Sequence, residues 1–432
     1  MNTLAALSAF ALSLSALGAV GCSAAAGDPT DATTGSDQAL DQSDPAAATG
    51  KGQGQPAQMN DLSVLFPLAT TSAQVTSGYL AASSAGKGGE LLPETMLEKA
   101  TGITAKPTPV MGEPRLSYDT LRAVAFRVDP CFANIGPVTD GAACDNQLRI
   151  VFQSATYAKG ATTLMDGAVH AFYSLSRAEL TEVVQAIIAL RIASGGAGDL
   201  GPLAVHPILA KQGLEGKMAK GLEALLLAHA GAANLTRFTV FQGVNLDTDW
   251  DFSAFDVKKG VATPSAVPGL ATASTSVIFG AGFAATLAGV FVPVPSDRDD
   301  LSLLTNVASA TAATPAARQS AFDAALRVEN PNFESPNTSD CASCHMAEPA
   351  RTLVGTPVFK LSPVGNVNAF AADPSIPAKD LARTTDPTAE PDGLNLHAFS
   401  YKDGTPMINQ RVVNETAANL VYVNAEVLGL PR

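Results

Sequence analysis

Within a chain of 432 residues that has only five cysteines and five histidines, Cys341-Ala342-Ser343-Cys344-His345 places two thiols three residues apart and an imidazole directly after the second. That spacing sets both sulfurs on one face of a helical turn, where they can form thioethers with the two vinyl groups of a porphyrin. His345 then presents a ring nitrogen to the iron, so that three residues would hold one covalent haem c. Zinc is the competing chemistry, because two thiolates and an imidazole are also good zinc ligands. A closed zinc site needs a fourth ligand, for which Glu348 and the more distant His397 are the candidates. A redox pair is the third reading of Cys341 and Cys344, although such pairs open a helix after a strand in a βαβ unit, and no such context surrounds this segment.

Helices flank the motif. Pro315 stands at a helix start, with Phe322, Ala325 and Leu326 on one face of the turns that follow, and 412–423 forms a terminal helix that keeps Val413, Leu420 and Val423 for packing. With C-x-x-C-H between these helices, residues 299–432 resemble the class I cytochromes c. The resemblance implies a mostly α-helical haem domain, single-electron transfer as its activity, and a distal methionine in a loop just ahead of the last helix. Met407, in Gly404-Thr405-Pro406-Met407, occupies that place and is the expected sixth ligand to the iron, with His397 in Leu396-His397-Ala398-Phe399 as its rival. Two further functions stay open. One is a haem enzyme of peroxidase type with an open distal position, although such enzymes commonly carry two attachment motifs. The other is a non-catalytic surface lipoprotein whose haem is a redox sensor or a structural staple. The sequence does not reveal the redox partners.

The beginning of the chain agrees with haem attachment outside the cytoplasmic membrane. Residues 1–27 have no charged side chain, and an apolar run from Leu4 to Val20 has the length of an export signal. Ala19-Val20-Gly21-Cys22 resembles a bacterial lipoprotein cleavage box, which implies lipidation of Cys22 and a lipid anchor in the cell envelope, periplasmic or on the outer membrane. The n-region departs from that family in lacking Lys or Arg. The expected organisation is a signal peptide over 1–22, a tether over 23–60 that is poor in apolar residues, an α+β domain over 61–298 and the haem domain over 299–432. Export also favours a disulfide between Cys131 and Cys144, which lie in the connection between two expected strands.

The rest of the chain shows no second chemistry. The formal charge of −13 repels phosphate backbones, which excludes a nucleic-acid-binding role. Between residues 61 and 265 short alternating runs at Val124–Val128, Leu148–Phe152, Val169–Leu175 and Phe238–Phe241 predict strands. Ser176 and Glu179 form a capping box that opens a helix stopped by Gly195-Gly196, and a second helix runs from about Gly216 to His229. The predicted class is therefore α+β. Gly196-Ala197-Gly198-Asp199-Leu200-Gly201 matches the dinucleotide fingerprint in its letters, but it follows a helix and runs into Pro202, so it is a helix stop. His170, His206 and His229 are expected to be structural.

Overall fold

Among the described residues, runs of β-branched and aromatic residues between Ser63 and Ile278 pair into one antiparallel sheet of nine strands. The computed structural model describes residues 54–107, 116–130, 146–245, 249–265, 274–278, 301–305, 307–335, 339, 341–385, 396–402 and 404–431. Cys22, the expected lipidation site, and Cys131 and Cys144, the expected disulfide pair, lie outside them. The strands are β1 Ser63–Leu65, β2 Leu121–Asp129, β3 Asn146–Ala158, β4 Ala161–Leu164, β5 Gly167–Leu175, β6 Leu235–Asn245, β7 Asp249–Lys258, β8 Val261–Pro264 and β9 Ser274–Ile278. They are ordered β1-β2-β3-β5-β6-β7-β8, with β4 folded back on β3 and β9 sharing the free edge of β7 with β8.

The register separates two chemically different faces. Phe126 opposes Ile150, Ile150 opposes Ala171, Ala171 opposes Phe238 and Phe238 opposes Phe255, so one face carries an apolar row across five strands. On the other face, an odd number of residues along the same strands, lie Arg127, Arg149, Phe172, His170, Phe241 and Phe252. The helical insert between β5 and β6 takes the apolar side. Its helix α1, Arg177–Ala193, opens with the expected capping box, Ser176 Oγ accepting from Glu179 N and Glu179 Oε2 accepting from Ser176 N, and buries Leu180, Val183, Val184, Ile187 and Ile188. Tyr173, on the apolar face, donates its hydroxyl to Leu91 O at 2.8 Å, and Lys87 from the same hairpin pairs with Glu179 at the start of α1. Helix α2, Lys217–His229, packs beside α1 and buries Met218, Leu222 and Leu226. The glycine-rich stretch after α1 is a pair of turns with Gly195 and Gly201 at φ of +90° and +73°, as a helix stop requires.

Where α2 ends, the chain passes so close to the 85–90 hairpin that a Cβ on Gly231 would stand 2.4 Å from both Lys87 N and Lys87 O. Those backbone groups are fixed by hydrogen bonds from Lys87 N to Ala230 O and from Ala233 N to Lys87 O. Gly231→Ala is therefore expected to cost about 1–3 kcal/mol, the usual range for overpacking a site that cannot relax. A fall in the urea midpoint at unchanged slope measures it, and an unchanged midpoint would show that the hairpin gives way freely.

The polar face of the sheet is covered by the C-terminal part of the chain. This contains α3 Pro315–Glu329, α4 Cys341–Pro349, a hairpin of β10 Phe399–Lys402 and β11 Thr405–Ile408, and α5 Gln410–Tyr422. Glu415 on α5 pairs with Arg127 at 3.3 Å and with Arg149 at 3.6 Å, and Asp129 closes on Arg149 at 2.7 Å. Thr416 meets Ser63 at 2.7 Å, and the Gln153 amide bonds both backbone groups of Tyr401. One hydrophobic core runs from Ala57 to Val423, and all described residues fall in one compact unit.

Two local expectations are corrected. Packed chain begins before residue 61: Ala57, Met59 and Asn60 are buried, and the Asn60 amide donates to Gly201 O and Pro202 O. Met407 does not sit in a loop but in β11, opposite Ser400, because Phe399-Ser400-Tyr401-Lys402 finds a partner strand across the turn at Gly404, whose φ is +85°.

Candidate functional site

Cys341 and Cys344 occupy the first turn of α4 and are half-buried, whereas His345 points inward and is 9% exposed. The helix is held from two sides. It packs on α3 and on strands β7 and β9, and its own backbone is tied to α5, since Asn409, the N-cap of α5, donates its amide to Cys344 O at 3.5 Å. Cys344 Sγ lies 3.4 Å from Ser339 Oγ.

The His345 ring enters an aromatic recess on the polar face of the sheet. Its centroid is 5.1 Å from Phe252, 5.2 Å from Phe241 and 6.4 Å from His170, and Phe241 and Phe252 are themselves stacked. Burial lowers the His345 pKa to about 4, outweighing the hydrogen bond to Leu396 that favours the charged form. The imidazole is therefore neutral near pH 7. Nδ1 is aimed at the carbonyl oxygen of Leu396, so Nδ1 carries the proton and Nε2 keeps its lone pair. His170 is also neutral, held well below the usual histidine range by burial and then by the nearby Arg149.

His397 lies next to this recess, with its ring edge-on to Phe241 at 5.0 Å. Both of its nitrogens are engaged: Nε2 with Asp166 Oδ1 at 2.6 Å and Nδ1 with Ser400 Oγ at 2.7 Å. Met407 is 1% exposed and directly opposite Ser400 in the hairpin, so the two side chains share a face. Glu348, the nearby candidate for a fourth zinc ligand, is committed elsewhere. Its Oε1 meets Arg383 Nη1 at 2.5 Å and its Oε2 accepts from Gln410 N at 2.7 Å. Burial, reinforced by Glu329, pushes its pKa up to about 7.

Among the described residues no group of three or more His, Cys, Asp or Glu side chains is arranged to hold a metal ion. That arrangement is what a zinc site demands; an iron held by a porphyrin asks the protein for one or two axial ligands only. Two half-buried thiols in one helix turn, a neutral imidazole with Nε2 unprotonated, and aromatic side chains beside it are the donor set a covalent haem would need. Cys341, Cys344 and His345 are the residues that would hold it. Sequence reasoning missed Asp166, Ser400, Phe241 and Phe252, and treated His170 as merely structural. No local motif marks them, because only the strand register carries them to His345.

Compared with protein-family models, curated proteins and solved structures, the chain finds no match in any of the three. Its function is argued from the site.

Proposed function

We propose that this chain is an exported c-type haem protein, anchored in the cell envelope by lipid on Cys22, that transfers single electrons. The observation that carries the proposal is the arrangement of His345. A metal-ligating histidine characteristically donates its other ring N–H to a carbonyl or carboxylate, which fixes the tautomer and strengthens the ligating nitrogen. The Leu396 carbonyl stands where that role requires it, next to two thiols at haem-attachment spacing. Residues 299–432 are then the haem-bearing part, with α3, α4 and α5 as its helices in the manner of a class I cytochrome c. Met407 is the proposed sixth ligand. The engagement of both His397 nitrogens by Asp166 and Ser400 favours the thioether over the imidazole.

When bound, the haem supplies a one-electron couple. The chain's own residues do the rest: Cys341 and Cys344 fix the group, His345 orients it, and Phe241 and Phe252 keep water from the buried imidazole. Expression with export in a bacterium that matures c-type cytochromes tests the proposal. Intact mass should show one haem per chain, and the reduced protein should give a six-coordinate, low-spin spectrum indifferent to peroxide. An unmodified mass beside correctly matured control cytochromes would overturn it. A high-spin spectrum that reacts with peroxide would transfer the assignment to the open-site enzyme.

A further inference from the structure

We infer that Asp166 and His397 are positioning residues for His345, holding the Leu396 carbonyl that selects the imidazole tautomer; the consequence for iron rests on the haem reading above, whereas the tautomer itself does not. Leu396 lies outside the helices and strands with its side chain buried, so among the described residues no helix or strand hydrogen bond sets the direction of its carbonyl. The fixing comes from the next residues. His397 is 2% exposed and is clamped between Asp166 Oδ1 and Ser400 Oγ, with Phe241 against its ring. Four residues further on, Gln153 of β3 bonds Tyr401 N and Tyr401 O at 2.9 and 2.8 Å.

Asp166 is itself held in place by the sheet. It occupies the turn between β4 and β5, next to Gly167, whose φ is +137° and where a Cβ would come within 2.8 Å of Phe241 O. The same Phe241 contacts both imidazoles, at 5.2 Å for His345 and 5.0 Å for His397. The carboxylate of Asp166 accepts from Nε2–H of His397, and Nδ1 meets the Ser400 hydroxyl. A half-buried carboxylate in the turn between two strands thus determines how a backbone carbonyl meets His345.

Nitrogen-15 NMR of the full chain labelled in histidine reads the result directly. The haem-free form made in the cytoplasm serves, because there both ring nitrogens are free of iron. His345 should show a protonated Nδ1 and an unprotonated Nε2. Asp166→Ala should shift that tautomer ratio by about tenfold, the worth of one ordinary hydrogen bond in a buried site. Asp166→Asn, whose side-chain carbonyl still accepts from Nε2–H, should restore it, a rescue that a merely destabilising role would not produce. In the haem-bearing protein Asp166→Ala should raise the midpoint potential, because a less electron-rich imidazole stabilises ferric iron less. If Asp166→Ala does not fold, Ser400→Ala, which removes only the second partner of His397, should shift the ratio in the same direction. An unchanged His345 tautomer in a folded Asp166→Ala or Ser400→Ala protein overturns the inference. Loss of haem attachment with the tautomer response intact would instead count against the proposed function alone.

Discussion

Exchange of Cys341 and Cys344 together for serine is expected to take the exported protein from one covalent haem per chain to none. Serine matches cysteine closely in size, and both thiols are half-buried in the first turn of α4, so the helix should survive the change. Each single serine variant keeps one sulfur and should retain a haem bonded through one thioether, with a spectrum that records the surviving vinyl group. A haem stain after denaturing electrophoresis and an intact mass distinguish the three cases, and circular dichroism confirms that the fold is unchanged. Staining of the double variant at the wild-type level would show that the haem is held elsewhere.

Glu415→Gln is expected to be the most damaging single change in the structural framework. Glu415 lies beneath α5 with Arg127, Arg149 and Arg411 around it, and the Arg127 side chain is 2% exposed. Burial alone pushes the Glu415 carboxyl up, but Arg127, Arg411 and Arg149 outweigh it and hold the pKa down at about 2. Removing the negative charge strands buried guanidinium groups, and breaking buried pairs in this way typically costs about 3–5 kcal/mol. The pH dependence follows from the sign of the shift. A carboxyl whose folded pKa is depressed stabilises the fold above its unfolded pKa of 4.5 and loses that contribution as pH falls towards 2. The difference in unfolding free energy between wild type and Glu415→Gln should therefore be constant above pH 5 and close between about pH 4.5 and 2. A difference that persists at pH 2 would mean that packing, not charge, is responsible.

Elements with local signals were legible in the sequence. The start of α1 followed from Ser176 and Glu179 and its end from two glycines; α3 followed from Pro315 at its first turn, where Thr314 accepts from Ala317 N as the cap. The C-x-x-C-H spacing is equally plain, since it resides in five consecutive residues, and it opens α4. What was not legible depends on pairing at long range. His345 meets Phe241, Phe252 and His170 from three different strands, and Asp166 reaches His397 across 231 residues of chain. No periodicity within one segment reports such meetings. Met407 shows the intermediate case: Gly404-Thr405-Pro406 suggests a loop, yet Pro406 lacks only a donor that an edge strand can spare, and the alternation of Phe399 and Tyr401 with polar neighbours was the overlooked sign of a hairpin.

The seam between the sheet and α5 bears on how the chain reaches this state. Arg127 and Glu415 are separated by 288 residues, and Ser63 and Thr416 by 353. Contacts of such separation cannot form until α5 has been made, and chains dominated by them fold slowly. Until α5 docks, Arg127 and Arg149 stay in water, where their solvation is favourable, and the polar face of the sheet has no apolar cover. Docking of α5 therefore closes the fold, and removing that helix uncovers the polar face of the sheet instead of trimming a dispensable segment.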